Sequence, residues 1–97
     1  MRIVSQDRCT DIDYSHNHLY LCDEDGETTI ESREDILGSY NTKERALEVM
    51  KEIREQDVAL KIWEIRVKNI LEEDLTFVGS KHLPKIMELS IYYMPKE

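Results

Sequence analysis

Four side chains of the kind that bind soft metals fall within fourteen residues of one another: Cys9, His16, His18 and Cys22. Two thiolates and two imidazoles converging tetrahedrally would hold a zinc ion. The spacing, C-x6-H-x-H-x3-C, argues against that chemistry. On an extended segment, His18 and Cys22 stand about 13 Å apart at the rise of a strand, too far for one ion to bridge unless the strand bends. Two cysteines are also too few for a disulfide framework. Reduced thiols and turn or surface histidines are the plainer reading, and no metal or cofactor is expected.

Nucleophilic catalysis needs a Ser, Cys or Thr activated by a histidine that an acid orients. Cys22 with His18 or His82 is the one pairing available, and nothing in the local sequence supports it. The three glycines are isolated, so no loop is built to cradle a phosphate, and there is neither a nucleophile elbow nor an HExxH helix. A catalytic role is therefore not expected.

Charge says more. The net charge is −8, and it is unevenly placed. Residues 1–41 hold ten acids against Arg2, Arg8 and Arg33, while residues 42–97 hold eleven acids against ten bases. Such a half repels phosphate, which disfavours direct nucleic-acid binding and favours a basic protein surface as partner. The candidate partner-binding acids are Asp23, Glu24, Asp25, Glu27, Glu31, Glu34 and Asp35. They can present carboxylates to a basic partner, as nucleic-acid mimics do. The plainer alternative is a solvated hairpin whose charges protect a sheet edge.

These side chains have to be positioned by a small scaffold. A chain of 97 residues is one domain, and 40% hydrophobic with 35% charged residues is the composition of a globular protein. No apolar run approaches the roughly 20 residues of a membrane span, and the opening MRIVSQD turns polar by its fifth residue, so a cytoplasmic location is expected. Residues 2–6 read as a strand, with a short strand or edge around Ile12 and Tyr14. In residues 17–22 Leu19 and Leu21 alternate with His18, Tyr20 and Cys22. Asp25-Gly26 is the strongest hairpin signal, joining this strand to one at residues 27–31. A strand at residues 36–40 runs into a helix for which Asn41 is a fitting N-cap, with Glu44 at the third position to complete a capping box.

From there no Gly or Pro occurs until Gly79. The apolar stripe passes from Ala46, Met50 and Ile53 on to Leu60, Trp63, Val67, Ile70 and Leu71, interrupted by Asp57. One helix of about thirty residues would be roughly 45 Å long, so two helices broken near Gln56-Asp57 give the more compact solution. A strand through Trp63, Ile65 and Val67 is a weaker third reading. Leu60, Trp63, Val67 and Ile70 form core at helical spacing. On a projecting helix they become a self-association seam, and a homo-oligomer is possible. After a loop at Gly79-Ser80 and Pro84, residues 86–94 read as a last strand with Met87, Leu89, Ile91 and Tyr93 on one face. The expected class is α+β: a mostly antiparallel sheet of about four to five short strands, with one or two helices on one face.

Three stretches carry a resemblance: Met1-Arg2-Ile3-Val4-Ser5-Gln6-Asp7 followed by Asp11-Ile12-Asp13-Tyr14, then Tyr40-Asn41-Thr42-Lys43-Glu44-Arg45-Ala46-Leu47 with Met50 and Arg54, and finally Tyr92-Tyr93-Met94-Pro95. In this order the chain resembles a family of small, uncharacterised proteins from Firmicutes, their phages and mobile elements. Those open MRIISQDG, carry a central YSTxxxA capped helix, and end in an aromatic strand closed by Met-Pro. This chain departs from that pattern at Arg8-Cys9, where glycine is usual, at Asp13, where proline is usual, and in a longer segment before the last strand. The resemblance implies a mobile-element accessory protein and assigns no catalytic residue. The combined expectation is a non-enzymatic, protein-binding accessory factor that inhibits a basic host factor through its acidic half, with a homo-oligomeric module or a small metal-binding protein as alternatives.

Overall fold

The computed structural model describes residues 1–73 and 83–97, with side chains described for residues 1–68 and 85–97. Two three-stranded sheets share one long helix. In chain order the elements are β1 (Arg2–Val4), β2 (Asp11–Asp13), a 3-10 turn (Tyr14–His16), β3 (Tyr20–Glu24), β4 (Glu27–Ser32), β5 (Asp35–Tyr40), α1 (Lys43–Glu73), α2 (Leu83–Leu89) and β6 (Ile91–Tyr93). The first sheet has the order β2-β1-β6, with β2 antiparallel and β6 parallel to β1. The second is an antiparallel meander, β3-β4-β5. This is the expected α+β class.

The β3–β4 hairpin turns at Asp25 (φ 50) and Gly26 (φ 82), leaving Glu24 opposite Glu27. Positive φ at both central residues matches the twist of the flanking strands, which is why Asp-Gly marks such turns. The β4–β5 turn has a less obvious residue, Arg33, at φ 57. The Tyr20 hydroxyl donates to the Arg33 carbonyl and fastens that turn to β3.

The core is formed by Ile3, Ile30, Leu37, Tyr40, Ala46, Val49, Ile53, Tyr92 and Met94. On β4 the buried positions alternate as Thr28, Ile30 and Ser32. At the C-terminus the buried face is Tyr92 and Met94, while Met87, Ile91 and Tyr93 are exposed. This reverses the expected face. Residues 86–89 belong to α2 rather than to a long strand, and the turn at Ser90 resets the alternation.

The helix differs from expectation in two further ways. Its N-cap is Thr42, whose Oγ1 accepts from the Arg45 amide at 3.1 Å, so the cap lies one residue beyond Asn41 and Glu44 falls at the second helical position. Nor does it break at Gln56-Asp57. Asp57 is buried and accepts from Lys61 Nζ at 2.8 Å, one turn on. Gln56 Nε2 donates to the carbonyls of Leu89 (3.1 Å) and Ile91 (3.0 Å). These polar side chains are spent on neighbours instead of competing with the helix backbone, and no Gly or Pro interrupts the run. The molecule measures 55 × 23 × 21 Å, with a radius of gyration of 16.0 Å; about 12.5 Å is typical of a compact chain this long. The Gly79-Ser80 loop lies outside the described residues.

Gln6 joins the two sheets and the C-terminus. Its backbone N–H donates to the Leu37 carbonyl (2.8 Å), and its side chain bonds both backbone groups of Ser39, accepting from N–H at 2.7 Å and donating to C=O at 3.1 Å. Nε2 also reaches the carbonyls of Pro95 (2.9 Å) and Lys96 (3.1 Å). Tyr40 Oη donates to the Pro95 carbonyl at 2.8 Å. A Cβ on Gly38 would stand 2.9 Å from Met94 Cε and 3.0 Å from Tyr40 Oη, so the absence of a side chain there lets both cover the strand. Ser5, Asp7 and Arg8 shape the adjoining turn. Arg8 has φ 64, a conformation that favours glycine, and its guanidinium lies 5.0 Å from the Tyr93 ring centroid.

Candidate functional site

The acidic hairpin is a sheet with two unlike faces. Because Thr28, Ile30 and Ser32 point inward, Glu27, Thr29 and Glu31 point outward. The register carries that face onto the neighbouring strands as three rows: Tyr20, Glu31 and Ile36; Cys22, Thr29 and Ser39; and Glu24 with Glu27. A bulge between Ile30 and Glu31 sets Ile36 opposite Glu31. Tyr20 (41% exposed) and Ile36 (58%) therefore flank an acid on open sheet surface.

The carboxylates on this face are held by neighbours. Thr29 Oγ1 donates to Glu31 Oε2 at 2.6 Å, and Ser39 Oγ donates to Glu27 Oε2 at 2.9 Å. The bond from Thr29, joined by one from the Cys22 thiol, holds the Glu31 carboxyl below its usual range. The same thiol–carboxylate contact, with burial, pushes Cys22 upward. A thiol held protonated as a donor to a carboxylate is a poor nucleophile.

The seven acids do not form one patch. Glu24, Glu27 and Glu31 share the outer face, with Asp25 at the hairpin tip. Glu34 and Asp35 lie at the opposite turn, where Glu34 acts on the Tyr20 hydroxyl. Asp23, opposite Thr28, belongs to the other face and accepts from Thr28 Oγ1 at 2.7 Å. Tyr20 and Ile36 were not among the sequence candidates; the signal for Tyr20 was its alternation with Leu19 and Leu21, but Ile36 depends on the bulge.

A second feature is a cleft of about 580 Å³ between residues 14–19 and the middle of α1. Asp13 fixes the loop wall: its Oδ1 accepts from the Ser15 amide at 3.0 Å, and its carbonyl accepts from Asn17 Nδ2 at 2.7 Å. Tyr14, His16, His18 and Leu19 line that side, and Met50, Arg54, Asp57 and Lys61 line the helix side. The bond to Asp57 and its charge push the Lys61 ammonium upward. Arg54 makes no ion pair among the described residues.

The cleft takes in two members of the cluster Cys9, His16, His18 and Cys22, but not the two thiols. Cys9 is exposed in the β1–β2 turn, with Sγ 3.5 Å from the Asp7 carbonyl, and Cys22 faces Glu31 on β3. Among the described residues no three His, Cys, Asp or Glu side chains gather as a metal site.

Of the stripe Leu60, Trp63, Val67 and Ile70, the described side chains sit largely on the inner side of the helix. Leu60 (4% exposed) and Val67 (8%) are buried within the single chain, and Trp63 is half-buried with the Arg66 guanidinium 5.5 Å from its ring centroid. The Ile70 side chain lies outside the described residues. The exposed aliphatics of this helical segment are instead Val58, Ile62 and Ile65. Their i, i+4, i+7 spacing places them within about 60° of helix arc.

No family model, curated protein or solved structure matches this chain. Among the described residues, no helix is long and apolar enough to cross a membrane.

Proposed function

We propose that this protein is a non-enzymatic accessory factor that binds a basic protein partner through the outer face of the β3–β4–β5 sheet. The observation that carries this reading is the open face itself, where Glu31 lies between two exposed side chains, Tyr20 and Ile36, and Glu24 with Glu27 continue the same face beyond the Cys22–Thr29–Ser39 row. Apolar anchors supply contact area, while acids steer a basic partner and fix its register. The hydroxyls of Thr29 and Ser39 hold Glu31 and Glu27 in place before a partner arrives, which lowers the ordering cost of binding. The resemblance implies a phage or mobile-element setting, and inhibition of a basic host factor is the form of this function that the acidic half suggests.

Pull-down from host lysate at about 0.1 M and about 0.5 M salt tests the proposal, because screening weakens contacts between exposed charges. The expected result is a basic protein retained at low salt, released at high salt, and lost when Glu24, Glu27 and Glu31 become Gln. A partner bound equally by the variant, or no salt-sensitive basic partner, contradicts it.

Val58, Ile62 and Ile65 favour a second reading, in which the helix pairs with another copy of the chain. Light scattering at high protein concentration distinguishes the two. A monomer that becomes no larger on concentration removes the self-associating form.

A further inference from the structure

We infer that the cleft between residues 14–19 and α1 binds a small phosphorylated molecule with a planar or apolar body, of the nucleoside monophosphate class. This site is separate from the acidic sheet face and does not depend on it.

The chain carries −8 overall, yet this cleft brings Arg54 and Lys61 together with His16 and His18. Its acids are already engaged: Asp57 accepts from Lys61 at 2.8 Å, and Asp13, at the root of the loop, accepts from the Ser15 amide and lies 3.6 Å from His16 Nε2. Of the Arg, Lys and Asp side chains that line the cleft, Arg54 is the one without an ion-pair partner among the described residues. Its planar fork matches the oxygens of a phosphate or carboxylate in two parallel bonds. The two imidazoles add N–H donors on the opposite wall. Glu64 also acts on the Lys61 ammonium, which leaves the Arg54 guanidinium as the cation best placed to meet an anion.

Shape and lining narrow the class. A volume of about 580 Å³ is ample for a mononucleotide and far more than a bare phosphate fills. Tyr14, Leu19 and Met50 give the cleft an apolar side, against which a planar base can lie. Polar donors beside an apolar wall favour an amphipathic phosphomonoester over a free inorganic ion.

Calorimetric titration of the full chain with AMP, with adenosine and with inorganic phosphate tests this. The expected result is saturable AMP binding with Kd below about 1 mM, with both fragments at least about tenfold weaker. Arg54→Gln is expected to weaken AMP by about tenfold or more, as loss of a charge-assisted pair does. Because Arg54 is exposed and makes no ion pair in the fold, that variant should keep its melting temperature. His18→Ala provides an independent variant from the opposite wall and should weaken AMP as well. No saturable AMP binding, adenosine or phosphate binding as tightly as AMP, or AMP binding unchanged in both variants would overturn the inference. Loss of binding here leaves the sheet-face proposal untouched, since its readout is a basic protein.

Discussion

On β4, Thr28, Ile30 and Ser32 point toward α1 and are buried, while their immediate neighbours Glu27, Thr29 and Glu31 point to solvent. One strand thus serves two environments. Ile30 joins the core with Leu37, Tyr40, Val49 and Ile53, so packing dictates its identity, and Thr28 donates to Asp23. On the outer face nothing in the fold requires an isoleucine at 36 or acids at 24, 27 and 31, and the Tyr20 ring stays open although its hydroxyl fastens the β4–β5 turn. The contrast separates residues that folding explains from residues that it does not. The second set is where a partner is most economically sought.

Mutations on the two faces should therefore diverge. Ile30→Ala on the inner face is expected to cost about 3 kcal/mol, because a fully buried side chain is lost and a cavity remains. In a chain of this size that lowers the melting temperature by about 15 °C, readable by circular dichroism. Gln6→Ala removes the side-chain bonds to Ser39, Pro95 and Lys96. At about 1 kcal/mol net per bond, and with one amide shared among three carbonyls, the expected cost is about 2 kcal/mol. A loss as small as that of a surface substitution would mean that Gln6 does not fasten the sheets.

The inner side should also respond to alkali. Burial pushes the Tyr40 hydroxyl up to about 12, and burial with a bond to Glu52 pushes Tyr92 up as well. A raised folded value means that the fold favours the neutral phenol. Its contribution is complete below the unfolded value near 10 and is lost as pH rises through the folded value. Urea midpoints should hold steady to about pH 10 and fall above it, and Tyr40→Phe should flatten part of that fall.

On the outer face the effect should nearly vanish. Ile36→Ala and Glu27→Gln are each expected to change stability by less than about 0.5 kcal/mol. A larger loss would show that this face has a structural duty and would erase the contrast.

Much of the scaffold was legible in the residues. Asp25-Gly26 marked its hairpin because few residue pairs adopt positive φ twice at so little cost. The strand at 36–40 and the apolar stripe beginning at Ala46 stood out by their periods. Gln56 misled because the carbonyls it meets, those of Leu89 and Ile91, lie more than thirty residues away, whereas the Asp57 partner, Lys61, stands only one helical turn on. At residues 86–89 a four-residue apolar pattern fits strand and helix alike. The three stretches that carry the family resemblance meet where Gln6, Tyr40 and Pro95 bond, which gives them a mechanical role. Of the candidate site, the acids were legible as a group. Their division between two faces and two turns depends on strand register, and the cleft depends on the packing of a loop against a helix.

The most direct test of the sheet-face account compares binding and folding in one variant, with Glu24, Glu27 and Glu31 changed to Gln together. The variant should melt within a few degrees of the parent and lose the salt-sensitive basic partner. Retention of that partner by the folded variant, or collapse of the fold without those charges, would contradict it.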